Sequence, residues 1–193
     1  MTRRLAGEIV VGLVLVALVA WGVNVALERL VTPRVATSAD ATATSTPGQI
    51  PHITATLYYG TPDGQALVPV VREVPLAEGP VAQGRAIVAA QLEPAAAQVS
   101  VIPPGTTLRA FFLTERGDAF VDLSREVSAN HPGGTSAELL TISAIVNAVT
   151  TNLPTVERVQ ILIDGREADT LAGHVDLRRP MQKDLSLVRD EVQ

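Results

Sequence analysis

The chain has 193 residues, 47% of them hydrophobic and 18% charged, which suits one ordinary domain with a further segment attached. A formal net charge of −5 offers no basic face to a phosphate backbone, so nucleic acid is excluded as a main partner. Cysteine is absent, which excludes disulfides, thiolate metal sites, thiol catalysis and a lipid-modified N-terminal cysteine.

Residues 1–31 form a cytoplasmic stub and a membrane anchor by their composition. Ile9–Leu27 carries a single strongly polar side chain, Asn24. As a helix it runs about 28 Å at ~1.5 Å per residue, close to a hydrocarbon core of ~30 Å. Trp21 lies near the far end, where an indole reaches the interface. The run exceeds the ~7–15 apolar residues of a signal-peptide core, and Ala39-Asp40-Ala41 lies well beyond it, so an uncleaved anchor is expected. Arg3 and Arg4 ahead of the run balance Arg29 and Arg34 behind it. The short charged N-terminal tail favours N-inside, with the bulk of the chain extracytoplasmic. Residues 32–52, rich in Thr, Ala, Ser and Pro, have no apolar period and read as a tether with a reach of roughly 25 Å.

Folded structure is expected from residue 53. Ile53–Tyr59 is a strand, Thr61-Pro-Asp-Gly64 a turn, and Ala66–Val74 a second strand that Pro69 confines to a sheet edge. Pro80 opens a helix with Val81, Arg85, Val88 and Leu92 on one stripe, and Pro94 ends it. Strand 108–114 turns at Arg116-Gly117-Asp118 into AFVDL. A second helix starts at Thr135, whose spacing to Glu138 is that of a capping box, and its stripe is Leu139, Ile142, Val146, Val149 and Leu153. Strand 157–163 turns at Asp164-Gly165-Arg166 and pairs with ADTLAGH. After Pro180, Met181, Leu185, Val188 and Val192 give residues 180–193 the stripe of an amphipathic terminal helix. The fold class is therefore α+β, a two-layer sandwich of a mixed or antiparallel sheet with two helices on one face, plus the N-terminal transmembrane helix.

Polar clusters invite chemical readings. FVDLSREVSANHPGG places Asp122, Ser124, Glu126 and His131 close together, but Ser124 lacks the G-x-S-x-G elbow that exposes a hydrolase serine. Asp122 and Ser124 are expected to satisfy loop N–H groups. His52, His131 and His174 show no paired ligand spacing; Asp122 or Asp164 is the alternative place for a hard cation. Asp164-Gly165 is first a hairpin turn. The expected site therefore holds no catalytic residue, no metal and no cofactor. An interaction edge is expected at Leu67, Val68, Val70 and Val71.

Taken in order, LYYGTPDGQALVPVVREV, VIPPGTTL, FVDLSREV, ELLTISAIVNAV and VERVQILIDGR ending in GHVDL resemble the GerMN domain family over residues 53–179. FVDLS, AIVNAV and VQILIDG in that order make the match specific. The resemblance implies an extracytoplasmic module without known catalytic residues, linked in sporulating bacteria to envelope and channel assembly. Its fold resembles the ring-building modules of secretion machines. Spore-type members often carry two such domains and a lipid-modified cysteine, whereas this chain shows one domain and an expected membrane helix. The expected function is non-enzymatic: a membrane-anchored interaction module whose partner is an envelope protein or a second copy. Peptidoglycan or glycan binding is the alternative from another class, and a hydrolase anchored by its N-terminus and acting through Ser124 the third.

Overall fold

The computed structural model describes residues 51–95 and 97–189. The expected anchor at Ile9–Leu27 and the tether up to residue 50 lie outside the described residues. Among the described residues no helix is long and apolar enough to cross a membrane.

Strands β1 (His52–Gly60) and β2 (Leu67–Pro75) form an antiparallel hairpin. The Thr61 hydroxyl bonds the Asp63 carboxylate at its turn, and Gly64 takes a left-handed φ of 67° there. His52, expected in the tether, begins β1. Helix α1 (Gly79–Leu92) follows, with Pro80 in its first turn. Its buried face is Gln83, Gly84, Ile87, Val88, Ala90 and Gln91, whereas Val81 and Arg85 of the expected stripe face solvent. The stripe is displaced because Gly84 lets the helix close onto the Phe111 ring, which would lie 2.4 Å from a Cβ at that position.

The second sheet has the order β3-β4-β5-β6, with β7 also on β5. Its strands are β3 (Leu108–Leu113), β4 (Asp118–Leu123), β5 (Arg158–Ile163), β6 (Arg166–Glu167) and β7 (Met181–Gln182). Between β4 and β5 lie a short helix α2 (Glu126–Ala129) and the long helix α3 (Thr135–Asn152). That crossover makes β4 and β5 parallel, while β3, β6 and β7 are antiparallel to their neighbours. Helix α3 is buried nearly all round from Leu140 to Val149; Leu139, expected in its stripe, reaches solvent.

Both helices touch both sheets: α1 packs on β1, β2 and β3, and α3 on β1, β5 and β7. One continuous core results, with Leu57 of β1, Ile87 of α1, Phe111 of β3, Ile145 of α3 and Ile161 of β5 all in it. The expectation of one sheet with helices on a single face is thereby corrected to two sheets sharing a helical layer. The reason lies at the outer edge of β1. Asn152 accepts from Thr56 N–H at 2.9 Å and donates to Thr56 C=O at 2.7 Å. Gln91 does the same for Tyr58, at 2.8 and 2.7 Å. Side-chain amides thus occupy the places a third strand would need.

Two C-terminal expectations also change. ADTLAGH supplies no strand beyond Arg166–Glu167. Residues 180–189 are not helical but run as a short strand, a loop and a turn at Ser186–Leu187, because their backbone groups find partners on neighbouring elements. Met181 and Gln182 pair with β5, Asn147 clamps the backbone of Asp184 at 2.6 and 3.0 Å, and Leu67 exchanges two 2.8 Å bonds with Leu187 and Arg189. Replacing Gln91 with Leu keeps an apolar bulk but strands the Tyr58 N–H and C=O. We expect a loss of about 2–4 kcal/mol in urea unfolding with an unchanged m-value.

Candidate functional site

The end of β4 gathers the polar residues singled out above. Asp122 is only 6% exposed and accepts from Gly165 N–H at 2.7 Å and from the Arg109 guanidinium at 3.4 Å. Arg109 sits at the irregularity between Leu108 and Ala110, where β3 slips its register against β4, and it also reaches Asp164 at 3.2 Å. A fixed guanidinium therefore stands where the alternative reading put a hard cation. Among the described residues no group of three His, Asp or Glu could hold a metal ion. Asp164 and Gly165 take left-handed φ values of 52° and 76°, the conformation a two-residue hairpin turn requires, and the Asp122 carboxylate caps that turn.

Ser124 is 8% exposed. Its N–H donates to Thr107 C=O at 2.9 Å, and its Oγ accepts from Thr107 N–H at 3.0 Å. The hydroxyl also helps hold the Glu126 carboxyl below the usual range. His131 belongs to a separate network. Its Nδ1 accepts from Gly133 N–H at 3.0 Å, so Nε2 carries the proton and faces Thr141 Oγ1 at 3.2 Å. Thr141 in turn donates to Val101 C=O at 2.5 Å. Serine, acid and histidine, adjacent in sequence, are not assembled into one hydrogen-bonded triad: the Ser124 hydroxyl meets Glu126, whereas His131 bonds Gly133 and Thr141.

Thr135 and Glu138 do not form a capping box. The N-cap is Gly134 at φ 89°, no side chain caps the helix, and Thr135 is already its first helical residue. Consecutive left-handed glycines, Gly133 and Gly134, bring the chain into the helix without placing a hydroxyl at the cap. Glu138 is instead fully buried and accepts from His174 N–H at 3.0 Å, His174 Nδ1 at 2.7 Å and Val175 N–H at 3.1 Å. Burial pushes its carboxyl up, but the bonds from His174, Val175 and Ala172 outweigh that and hold it below the usual range. Beside this first turn of α3, a recess of about 760 Å³ opens against the 99–104 segment, with no charged residue in its lining.

The strand edges differ sharply. In β2 the backbones of Val68 and Val70 face β1, because Thr56 and Tyr58 turn their own outward to Asn152 and Gln91. Leu67 faces out but is taken by the tail, and Pro69 has no N–H. The expected edge at Leu67, Val68, Val70 and Val71 is thus narrowed to Val71, 67% exposed, and its neighbour Glu73. Strand β3 is the edge that the sequence reading missed. Thr114 N–H donates to Asp118 C=O at 3.0 Å, so Phe112 and Ala110 also face β4, and Phe111 and Leu113 direct their backbones away. No described residue pairs with those two. Phe112 is 57% exposed while Phe111 is buried on Gly84. The adjacent pair was the available signal, since alternation sends one of two neighbouring rings outward.

The Glu138 clamp has a pH signature. A depressed carboxyl stabilises the fold fully above the ordinary glutamate value of about 4.3, and that contribution disappears as pH falls through the lowered value. Glu138→Gln turns an NH₂ toward donors that need an acceptor, with an expected cost of about 1–3 kcal/mol near neutral pH. In denaturant titrations the gap between native chain and variant should narrow below about pH 4.

Comparison with known proteins places this geometry. No curated protein matches the chain significantly. Among solved structures, the tandem GerMN domains of the sporulation protein GerM from Bacillus subtilis align with a TM-score of 0.52 at 17% identity, over 70% of this chain and 46% of that one. The first GerMN domain of GerM from Bacillus subtilis gives 0.47 at 17%, over 68% and 96%. A Clostridium perfringens structure described as a candidate lipoprotein gives 0.49 at 25%, over 69% and 89%. The tandem structure shares the mixed α+β fold, and this chain spans less than half of its length. Residues 56–169 match the Germane model, described as sporulation and spore germination, and the chain belongs to that family.

Proposed function

We propose that the chain is a non-enzymatic module held at a bacterial membrane by Ile9–Leu27, displaying its domain on the extracytoplasmic side to a protein partner in envelope or sporulation-type assembly. One observation carries this reading. The polar side chains that could serve chemistry, Asp122, Ser124, His131 and Glu138, are all engaged in holding loops and turns of their own fold. No buried side-chain polar atom among the described residues lacks a partner. The family's association with sporulation and germination agrees with a role in the envelope.

A protein partner is favoured over a glycan by the aromatic inventory. Tyr58, Tyr59 and Phe111 are buried, which leaves Phe112 as the one large exposed ring among the described residues. A sugar platform needs flat aromatic surface open to solvent, whereas a strand edge beside an exposed phenylalanine suits another polypeptide.

Floating the full chain with lipid vesicles tests the anchor and its orientation. The native chain should co-float and resist carbonate extraction. In cells, its domain should be cleaved by externally added protease. A chain lacking residues 1–31 should stay at the bottom of the gradient. Native chain recovered free of vesicles, or protected from external protease, would remove the membrane-display reading.

A further inference from the structure

The edges of this fold are treated unequally. The outer edge of β1 is closed by the Asn152 and Gln91 amides and by Val99 C=O, which accepts from Gly60 N–H at 2.7 Å. That of β2 is blunted by Pro69, by Pro75 and by the tail at Leu67. The far side of β5 is covered by two short strands, β6 and β7. Among the described residues none of these protections covers β3 over Phe111–Leu113, and the strand carries an exposed phenylalanine. An open apolar strand edge is a template for another strand.

We infer that the partner of this edge is a second copy of the chain, paired antiparallel through β3 about a two-fold axis at Phe112. The residues along this edge suit a copy of themselves. Backbone groups face outward at Phe111 and Leu113, so an antiparallel mate must set outward residues opposite one another. Centring the pair on Phe112 sets Phe111 opposite Leu113 of the second copy, and Leu113 opposite its Phe111. All four outward groups on each strand are then used. The same register stacks Phe112 on its own equivalent at the close, non-hydrogen-bonded position, and sets Ala110 against Thr114. It also brings the half-exposed Arg109 of one copy to the turn of the other, where Glu115 is exposed. Centring one residue earlier or later loses both the Phe112 stack and the opposition of Arg109 and Glu115. The contact is isologous, so it closes as a dimer and does not propagate into a fibre.

A single strand pair buries less than the ~1,200 Å² of a stable interface, so pairing of free copies is weak. Two copies on one membrane meet at a much higher effective concentration. In this respect the inference rests on the proposed anchor, and the experiment separates the two. The native chain has no cysteine, so each introduced thiol is the sole one. Full chain carrying Phe112→Cys is oxidised mildly in vesicles and, at raised concentration, in detergent. A disulfide-linked dimer should form at several-fold higher yield than with Val71→Cys, a site on β2 that is more exposed still. Ala110→Cys mixed with Thr114→Cys should give more mixed dimer than either gives alone. In the otherwise native chain, Phe112→Lys should lower energy transfer between labelled copies several-fold at equal surface density. Equal yields from Phe112→Cys and Val71→Cys, or transfer unchanged by Phe112→Lys, would overturn the pairing. A chain that floats with vesicles without cross-linking loses the pairing and keeps the anchor; one that cross-links in detergent without floating keeps the pairing and loses the anchor.

Discussion

Side-chain amides standing in for backbone are the constraint on which the rest of this structure depends. Gln83 clamps Ala77 N–H and Pro75 C=O, Gln91 clamps Tyr58, Asn147 clamps Asp184 and Asn152 clamps Thr56. An amide carries one acceptor and two donors, so it completes a peptide unit that has lost its ladder partner. Each clamp ties a strand edge or loop to a helix, and together they fix where sheet pairing stops. The hairpin β1–β2 consequently remains a separate two-stranded sheet held by helices rather than joining the larger one.

The same economy governs the acids and the hydroxyls. Asp122 closes the Asp164-Gly165 turn, Ser124 completes the backbone pairing of Thr107, and Glu138 holds the 172–175 segment against the start of α3. A cluster of serine, acid and histidine in sequence looks like chemistry; in space each member secures a different loop.

Much of the fold was legible in the sequence because strong local signals agreed with tertiary packing. Pro80, the Asp164-Gly165 pair and the β-rich runs at 53–59 and 157–163 placed their elements to within a residue or two. The departures share a cause: long-range partners overrode local pattern. Thr135 and Glu138 have capping-box spacing, but buried Glu138 serves three donors from the 172–175 segment. Residues 181–192 have a helical stripe, but Asn147, β5 and Leu67 take up their backbone groups as far as Arg189 and no helix forms there. The α1 stripe was misplaced because Gln83, Gly84 and Gln91 are buried for bonding and close approach, which a hydropathy pattern does not register. Of the candidate surface, the edge at β3 was not read, because hydropathy does not tell which of two adjacent phenylalanines alternation turns outward.

Amide hydrogen exchange, read residue by residue on the dilute chain in detergent, tests the central claim most directly. If side-chain amides complete the backbone, the Thr56 and Tyr58 N–H groups should exchange as slowly as core strand amides, with opening free energies near that of global unfolding. The Phe111 and Leu113 N–H groups, open in the single chain, should exchange orders of magnitude faster and slow only as copies are concentrated together. Fast exchange at Thr56 and Tyr58, or protection of Phe111 and Leu113 in isolated monomers, would contradict the account.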